Sequence, residues 1–328
     1  MSSLATNAIT DASGGNTATI NGQTPTESNM AGRNRIINGC MRIWQRGTSF
    51  SGSGYTADRW VATAGNVSRQ SFPLGSNPTG LESPYYLNWS ASSAANNEFL
   101  QRVEFVTTLQ NQKATLSFWA KSSTGTETFG WAIYQNFGSG GSSLTAAGGG
   151  TYAPTTSWQK YTFTVDMPSL SGKTIGTNDF VWIRLAQLTT NNSVSLDITG
   201  VQLEAGSVAT PFEHRQFGQE LALCQRYYQL FEGFAGGSYT STAIIGSVSF
   251  PVAMRAAPSV SATAAIAITY PGVADYTQSS PDASIVAGRA SIRGIQVQMA
   301  NFSGMANGRV HYQNVAVNNA ALAFSAEL

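Results

Sequence analysis

The sequence predicts a mainly β protein, and three observations carry that reading. Short alternating apolar runs recur along most of the chain, as in Thr115-Leu-Ser-Phe-Trp-Ala120, where Leu116, Phe118 and Ala120 share one face and Trp119 takes the other. Clusters of Gly, Asn and Ser separate these runs, which is turn chemistry between strands. Charged residues make up 11% of the chain, against about 25% in an average globular protein. Ser, Thr, Asn, Gln and Gly supply the polarity instead, as suits an extracellular β protein with a neutral, hydrogen-bonding surface.

Taken in order, residues 1–33 are polar, with scattered apolar residues at Leu4, Ile9, Ile20 and Met30 and no sustained period. Such a segment alone would not offset its ordering entropy. Residues 34–213 read as a sandwich of antiparallel sheets. Tyr161, Phe163 and Val165 share a face; Val181, Ile183 and Leu185 do likewise, with Phe180, Trp182 and Arg184 on the reverse. Val194, Leu196 and Ile198 alternate as far as Gly200, where a bulge is expected to reset the register before Val201 and Leu203. The glycine-rich stretch from Gly138 to Gly150 carries no strand signal and reads as an exposed connection.

One segment has a helical period. Within a linking element at 214–232, Phe217, Leu221, Cys224, Tyr228 and Phe231 recur at spacings of four and three, predicting a helix over about 217–231. Leu223, Tyr227 and Leu230 widen its apolar face beyond what one exposed helix needs. It can pack on its own chain or in a bundle of three copies, and two heptads do not choose. Residues 233–328 form a second, smaller β region. Val260 to Ile268 reads as one alternating run, followed by Ile295 to Met299. Val310 and Tyr312 then place His311 outward, and Leu322 to Ala326 forms a docked last strand.

Several function classes find no support. Eighteen basic residues against seventeen acidic ones give +1, without the clustered basic footprint of nucleic-acid binding. No apolar run approaches the ~20 residues of a membrane span, and the N-terminal residues lack the pattern of a signal peptide. Cys40 and Cys224 read as two reduced, packed thiols. His214 and His311 have no metal-spacing partner, and no nucleophile elbow or phosphate-binding glycine motif occurs. A glycosidase would need paired carboxylates; Asp58, Glu82, Glu98, Glu104, Asp166, Asp179, Asp197 and Glu204 are available, but sequence does not pair them. Asp58 and Arg59 read as a structural pair beside Trp60.

Four stretches carry a resemblance. They are Asn38-Gly-Cys-Met-Arg-Ile-Trp-Gln-Arg-Gly47 with Tyr55-Thr-Ala-Asp-Arg-Trp60; Val201-Gln-Leu-Glu-Ala-Gly-Ser-Val-Ala-Thr-Pro-Phe-Glu-His-Arg215 running into Glu220-Leu-Ala-Leu-Cys-Gln-Arg-Tyr-Tyr228; Phe250-Pro-Val-Ala-Met-Arg-Ala-Ala-Pro258; and Phe324-Ser-Ala-Glu-Leu328. Together they resemble a family of bacteriophage tail-fibre and virion-fibre proteins with a jelly roll similar to carbohydrate-binding modules.

The resemblance implies a non-enzymatic virion protein. Residues 1–33 would be an arm attaching to a virion adaptor, tail or portal-proximal protein, and the β domains would face a host-surface polysaccharide. It also implies a homotrimer, with Phe217, Leu221, Cys224, Tyr228 and Phe231 as interface candidates. In carbohydrate-binding relatives a calcium ion often rests near the edge flanked here by Asp197 and Glu204; no other cofactor is expected. The competing classes are a free carbohydrate-binding module and a host-glycan hydrolase.

Saccharide rings stack on aromatic planes while polar side chains read their hydroxyls. The candidates for such contacts are Trp119, Trp131, Tyr134 and Trp182, with Arg102 and Arg184 supplying polar groups. Each tryptophan has a competing explanation as core.

Overall fold

A computed structural model describes residues 32–78, 80–91, 97–187, 193–271, 273–314 and 320–328. The arm expected at 1–33 thus lies almost wholly outside the described residues. The chain divides into two compact units, one reaching Arg215 and including Leu328, the other covering Gln216–Glu327. Both are antiparallel β structures.

The first unit is a jelly-roll sandwich of two six-stranded sheets. One runs in the order β1 (Ser49–Ser51), β4 (Asn66–Ser71), β5 (Tyr85–Ala91), β12 (Val194–Ala205), β7 (Lys113–Ser122) and β10 (Gln159–Asp166). The other runs β2 (Gly54–Tyr55), β3 (Trp60–Ala62), β6 (Glu98–Glu104), β11 (Phe180–Gln187), β8 (Phe129–Asn136) and β9 (Thr145–Tyr152). Most successive strands change sheet, so the inward residues of both meet in one core. Leu116, Phe118 and Ala120 enter it from β7, Val181, Ile183 and Leu185 from β11, and Trp60, Trp89 and Phe99 fill its centre.

The bulge expected at Gly200 is present. The β12–β7 register shifts between Thr199 and Gln202, and Gly200 has φ +62°, a conformation that suits glycine. The glycine-rich stretch differs from expectation, because its second half is the edge strand β9. It pairs with β8 through Ile133↔Gly148, Ala132↔Gly149 and Trp131↔Gly150. A Cβ at Gly148 would lie 2.5 Å from Val165 Cγ1, and one at Gly150 would lie 3.2 Å from Trp131 Nε1. The missing side chains make room for the neighbours, so no apolar alternation marks this strand.

In the second unit, α1 covers Phe217–Gln225. The helix expected to reach residue 231 stops six residues earlier, because Tyr228–Phe231 forms strand β13 and pairs with β22 (Leu322–Ser325). Tyr and Phe suit a pleated, half-buried surface, and strand pairing overrides the short helical period. A three-stranded sheet β13-β22-β16 (Ser259–Ala262) faces a seven-stranded sheet. The latter runs β18 (Ala274–Thr277), β17 (Ala267–Tyr270), β21 (Val310–Gln313), β14 (Ala235–Ser238), β15 (Ile244–Ser249), β20 (Gly294–Met299) and β19 (Ser284–Ala290). Ile295, Val297 and Met299 point into the shared core with Phe324.

Two further readings change here. The run from Val260 to Ile268 is two strands, β16 and β17, separated by a bend. In β21 the faces are the reverse of those expected: His311 is 1% exposed, whereas Val310 and Tyr312 are 51% and 49% exposed. Tyr270 and Tyr276 receive the imidazole at ring-centroid distances of 5.8 and 5.6 Å. An aromatic lining thus makes the histidine the inward residue.

Candidate functional site

Strand β11 lies between β6 and β8, and its alternation builds the site. With Val181, Ile183 and Leu185 turned into the core, Phe180, Trp182 and Arg184 stand half-buried on the outer face. Register places Trp182 opposite Arg102 on β6 and opposite Tyr134 on β8. The Tyr134 and Trp182 rings meet at 5.6 Å between centroids with a 49° tilt. Arg184 sets its guanidinium 5.6 Å from the Tyr134 ring centroid and pairs with Glu98 at 2.8 Å. Such a pair orders both side chains around the rings.

Trp182 Nε1 and Arg184 Nε are buried and have no hydrogen-bond partner among the described residues. Arg102 lies at the edge of this group, its guanidinium 5.3 Å from the Phe180 ring centroid. Two aromatic planes, a fixed cation and a carboxylate on one sheet face match the needs of an uncharged polyhydroxyl ligand: apolar area for C–H faces and donors and acceptors for hydroxyls.

Four of the six predicted contact residues therefore come together: Arg102, Tyr134, Trp182 and Arg184. Trp131 does not join them. An odd spacing from Tyr134 along β8 turns it inward, where it is 8% exposed and stacks on Phe163 at 4.1 Å between centroids. Trp119 belongs to the other sheet, on the outer face of β7.

That second outer face carries residues the sequence reading missed. Phe72, Tyr86 and Trp158 form an aromatic cluster with centroid separations of 4.7, 5.5 and 5.3 Å. Lys121 lies against it, 5.6 Å from the Tyr86 ring and 5.3 Å from the Trp158 ring. Burial, with the nearby Asp197 charge, pushes the Tyr86 hydroxyl above its usual pKa. Trp158 precedes β10 and has no alternating neighbour to reveal its face, so only the fold could join it to Tyr86.

Asp197 and Glu204 are both tied to partners. Asp197 accepts from Asn88 at 2.6 Å and faces Lys121 at 3.3 Å. Glu204 is buried and accepts from Thr210 N at 2.9 Å, Thr210 Oγ1 at 2.6 Å and Gln202 Nε2 at 2.8 Å. Seven residues apart on β12, at ~3.3 Å per residue, these two lie roughly 20 Å from each other. They do not fit a shared calcium site, and among the described residues no three His, Cys, Asp or Glu side chains gather as a metal site.

Asp58 accepts from Gln45 N at 3.0 Å and lies 3.8 Å from Arg46, while Arg59 donates to Arg102 O at 2.7 Å. Burial raises the Asp58 pKa and the Arg59 charge is among the effects that oppose the rise, so the expected pair interacts while each member also has a structural task of its own. His214 is exposed and contacts Gly80 O at 2.7 Å.

The trimer candidates do not form one helical seam. Phe217, Leu221 and Cys224 are on α1, whereas Tyr228 and Phe231 are on β13. Phe217 is 52% exposed; Cys224 and Tyr228 are buried.

No family model matches this chain, and no curated protein matches it. Solved structures similar to it include a carbohydrate-binding module, TmCBM61, in complex with β-1,4-galactotriose, at 12% identity and TM-score 0.31, covering 53% of this chain and 99% of that one. Another is the N-terminal cellulose-binding domain of a Cellulomonas fimi β-1,4-glucanase, at 13% identity and TM-score 0.30, covering 52% and 95%. A third is the enzymatically active domain of tailspike protein 4 from bacteriophage CBA120, at 14% identity and TM-score 0.33, covering 53% and 21%.

Proposed function

We propose that this protein is a non-catalytic saccharide-binding subunit of a bacteriophage fibre, and that its jelly roll contacts a host-surface polysaccharide. The observation that carries the binding half is the juxtaposition of Tyr134 and Trp182 on adjacent strands, with Arg184 held beside them by Glu98. Rigid aromatic side chains give contact area at small entropic cost. The fibre half is supported by the four sequence stretches that resemble phage fibre proteins. A homotrimer would multiply the affinity of a shallow site by effective concentration.

Titration of the full chain against purified host-surface polysaccharides tests the binding half. Substituting Trp182→Ala lowers affinity about tenfold, as expected for an aromatic anchor. Unchanged affinity rejects this face as the contact. Release of new reducing ends during the titration rejects the non-catalytic reading. The solution mass tests the trimer, and deletion of residues 1–33 tests the arm, since intact particle attachment after that deletion removes the anchoring role.

A further inference from the structure

The outer face of the opposite sheet holds a pocket of about 460 Å³, within the size range of small-ligand sites. Ser117 and Trp119 of β7 and Gly200 of β12 line it, together with Leu81, Phe212 and Lys160. The bulge at Gly200 shapes one end. A Cβ there would lie 2.9 Å from Leu81 Cδ1 and 3.1 Å from Trp119 Cδ1, so glycine lets Leu81 close on the indole. The segment after β12 forms another wall, pinned from behind by the Glu204–Thr210–Gln202 network and by Glu213 N donating to Gln202 Oε1 at 2.8 Å. These walls are held by buried hydrogen bonds before any ligand arrives, which lowers the ordering cost of binding.

Among the described residues lining this pocket, Lys160 is the one that carries a charge. It stands opposite Trp119 in the β10–β7 register, is exposed, and donates to Thr210 O at 3.3 Å. A lysine ammonium has three N–H donors, so two remain for a ligand or water. Glu204, the carboxylate nearest in the hydrogen-bond network, is closed behind Thr210 and lines no part of the pocket. The pocket therefore offers an indole plane, an apolar wall and, at its rim, a lysine that forms no ion pair among the described residues.

We infer that this Trp119–Lys160 pocket is a second saccharide subsite, selective for a carboxylated pyranose of the uronic-acid class. The sugar ring stacks on Trp119, and its carboxylate meets Lys160 Nζ. For ligand class this rests on the saccharide reading above, but it uses none of the residues of the Tyr134–Trp182 face.

The test titrates the full chain with methyl glucuronide and with methyl glucoside by ligand-observed NMR, in the wild type and in Trp119→Ala, Lys160→Gln and Trp182→Ala variants. The expected result is stronger binding of the glucuronide, lost in Trp119→Ala and unchanged in Trp182→Ala. Lys160→Gln lowers glucuronide affinity about fivefold, the weight of one exposed charge contact, and leaves the glucoside unaffected. Because Lys160 is exposed, that variant keeps the test valid if Trp119→Ala fails to fold. Equal binding of the two sugars, or glucuronide binding untouched by Lys160→Gln, overturns the acid-selective subsite. Sensitivity to Trp182→Ala alone overturns the pocket and leaves the first face standing; no binding of either sugar by a chain that still binds polysaccharide through Trp182 does the same.

Discussion

Gly39 lies directly against the main chain of Val201. Val201 N donates to Gly39 O at 2.9 Å, and a Cβ built on Gly39 would lie 2.2 Å from Val201 O. The contact joins two of the stretches that carry the family resemblance, Asn38–Gly47 and Val201–Arg215, although they are far apart in sequence. A neighbouring bond ties the same junction, Asn34 Nδ2 donating to Val201 O at 3.1 Å, while Asn38 Nδ2 donates to Ile43 O at 2.9 Å and closes the turn that holds Gly39.

The first prediction follows from that approach. Gly39→Ala forces the backbone of β12 away from the Asn38 turn, and main chain cannot rotate aside as a side chain can. The expected loss is about 2–4 kcal/mol of jelly-roll stability, the range of severe core strain. Urea denaturation of the full chain, followed by tryptophan fluorescence, reads it. A midpoint equal to the wild type would show that the junction yields at no cost.

Much of this fold was legible in the sequence because strand alternation survives wherever one face is core and the other is not. Leu116–Phe118–Ala120 and Val181–Ile183–Leu185 both fall inward as their spacing requires, and the break at Gly200 is a bulge. The failures share a cause. β9 is silent because its glycines serve the side chains of β8 and β10. The Tyr227–Phe231 stretch fits a helical period and a strand equally well, and pairing with β22 decides it. His311 is inward because of aromatic neighbours from two other strands. At the site, parity separates Trp131 from Tyr134 once either face is known, but no local pattern announces which face that is. The Phe72–Tyr86–Trp158 cluster depends on three segments meeting in space.

A second prediction concerns Tyr152, whose ring packs against Phe118 at 5.3 Å and Phe129 at 5.8 Å between centroids. Its hydroxyl is buried with no hydrogen-bond partner among the described residues. Burial, with a smaller contribution from Tyr161, holds its pKa well above 10. Removing an unsatisfied buried hydroxyl while keeping the ring relieves its desolvation penalty, so Tyr152→Phe stabilises by about 1 kcal/mol. The native state also holds this proton more tightly than the unfolded chain, so stability falls as pH rises above 10. The Phe variant lacks that alkaline loss. Thermal unfolding at neutral and alkaline pH checks both effects, and a lower melting temperature for the variant would contradict the first.

Asp58 gives a pH dependence at the acid end. Burial raises its pKa above the ordinary 3.8, against the lowering effect of Gln45 hydrogen bonds and the Arg46 charge. A raised carboxyl binds its proton more tightly in the folded state. Its stabilising contribution is therefore full below 3.8 and is lost as pH rises through the higher folded pKa. Asp58→Asn has no such slope. Denaturation midpoints measured from acid to neutral pH should show the wild type losing ground to the variant across that window, and parallel curves would assign the titration elsewhere.

Trp131 and Trp182 occupy paired strands of one sheet, yet they answer to different measurements. Trp131 is a core residue stacked on Phe163, so Trp131→Ala opens a cavity and costs about 3–5 kcal/mol of folding stability. Trp182 is half-buried on the outer face against Tyr134. Trp182→Ala costs less than about 1.5 kcal/mol in stability, the scale of one aromatic pair, and acts mainly on polysaccharide affinity. The two variants should therefore separate cleanly when melting temperature and binding are measured on the same preparations. A Trp182→Ala chain that unfolds as readily as Trp131→Ala would make both tryptophans scaffolding, and the outer face would then owe its aromatics to packing.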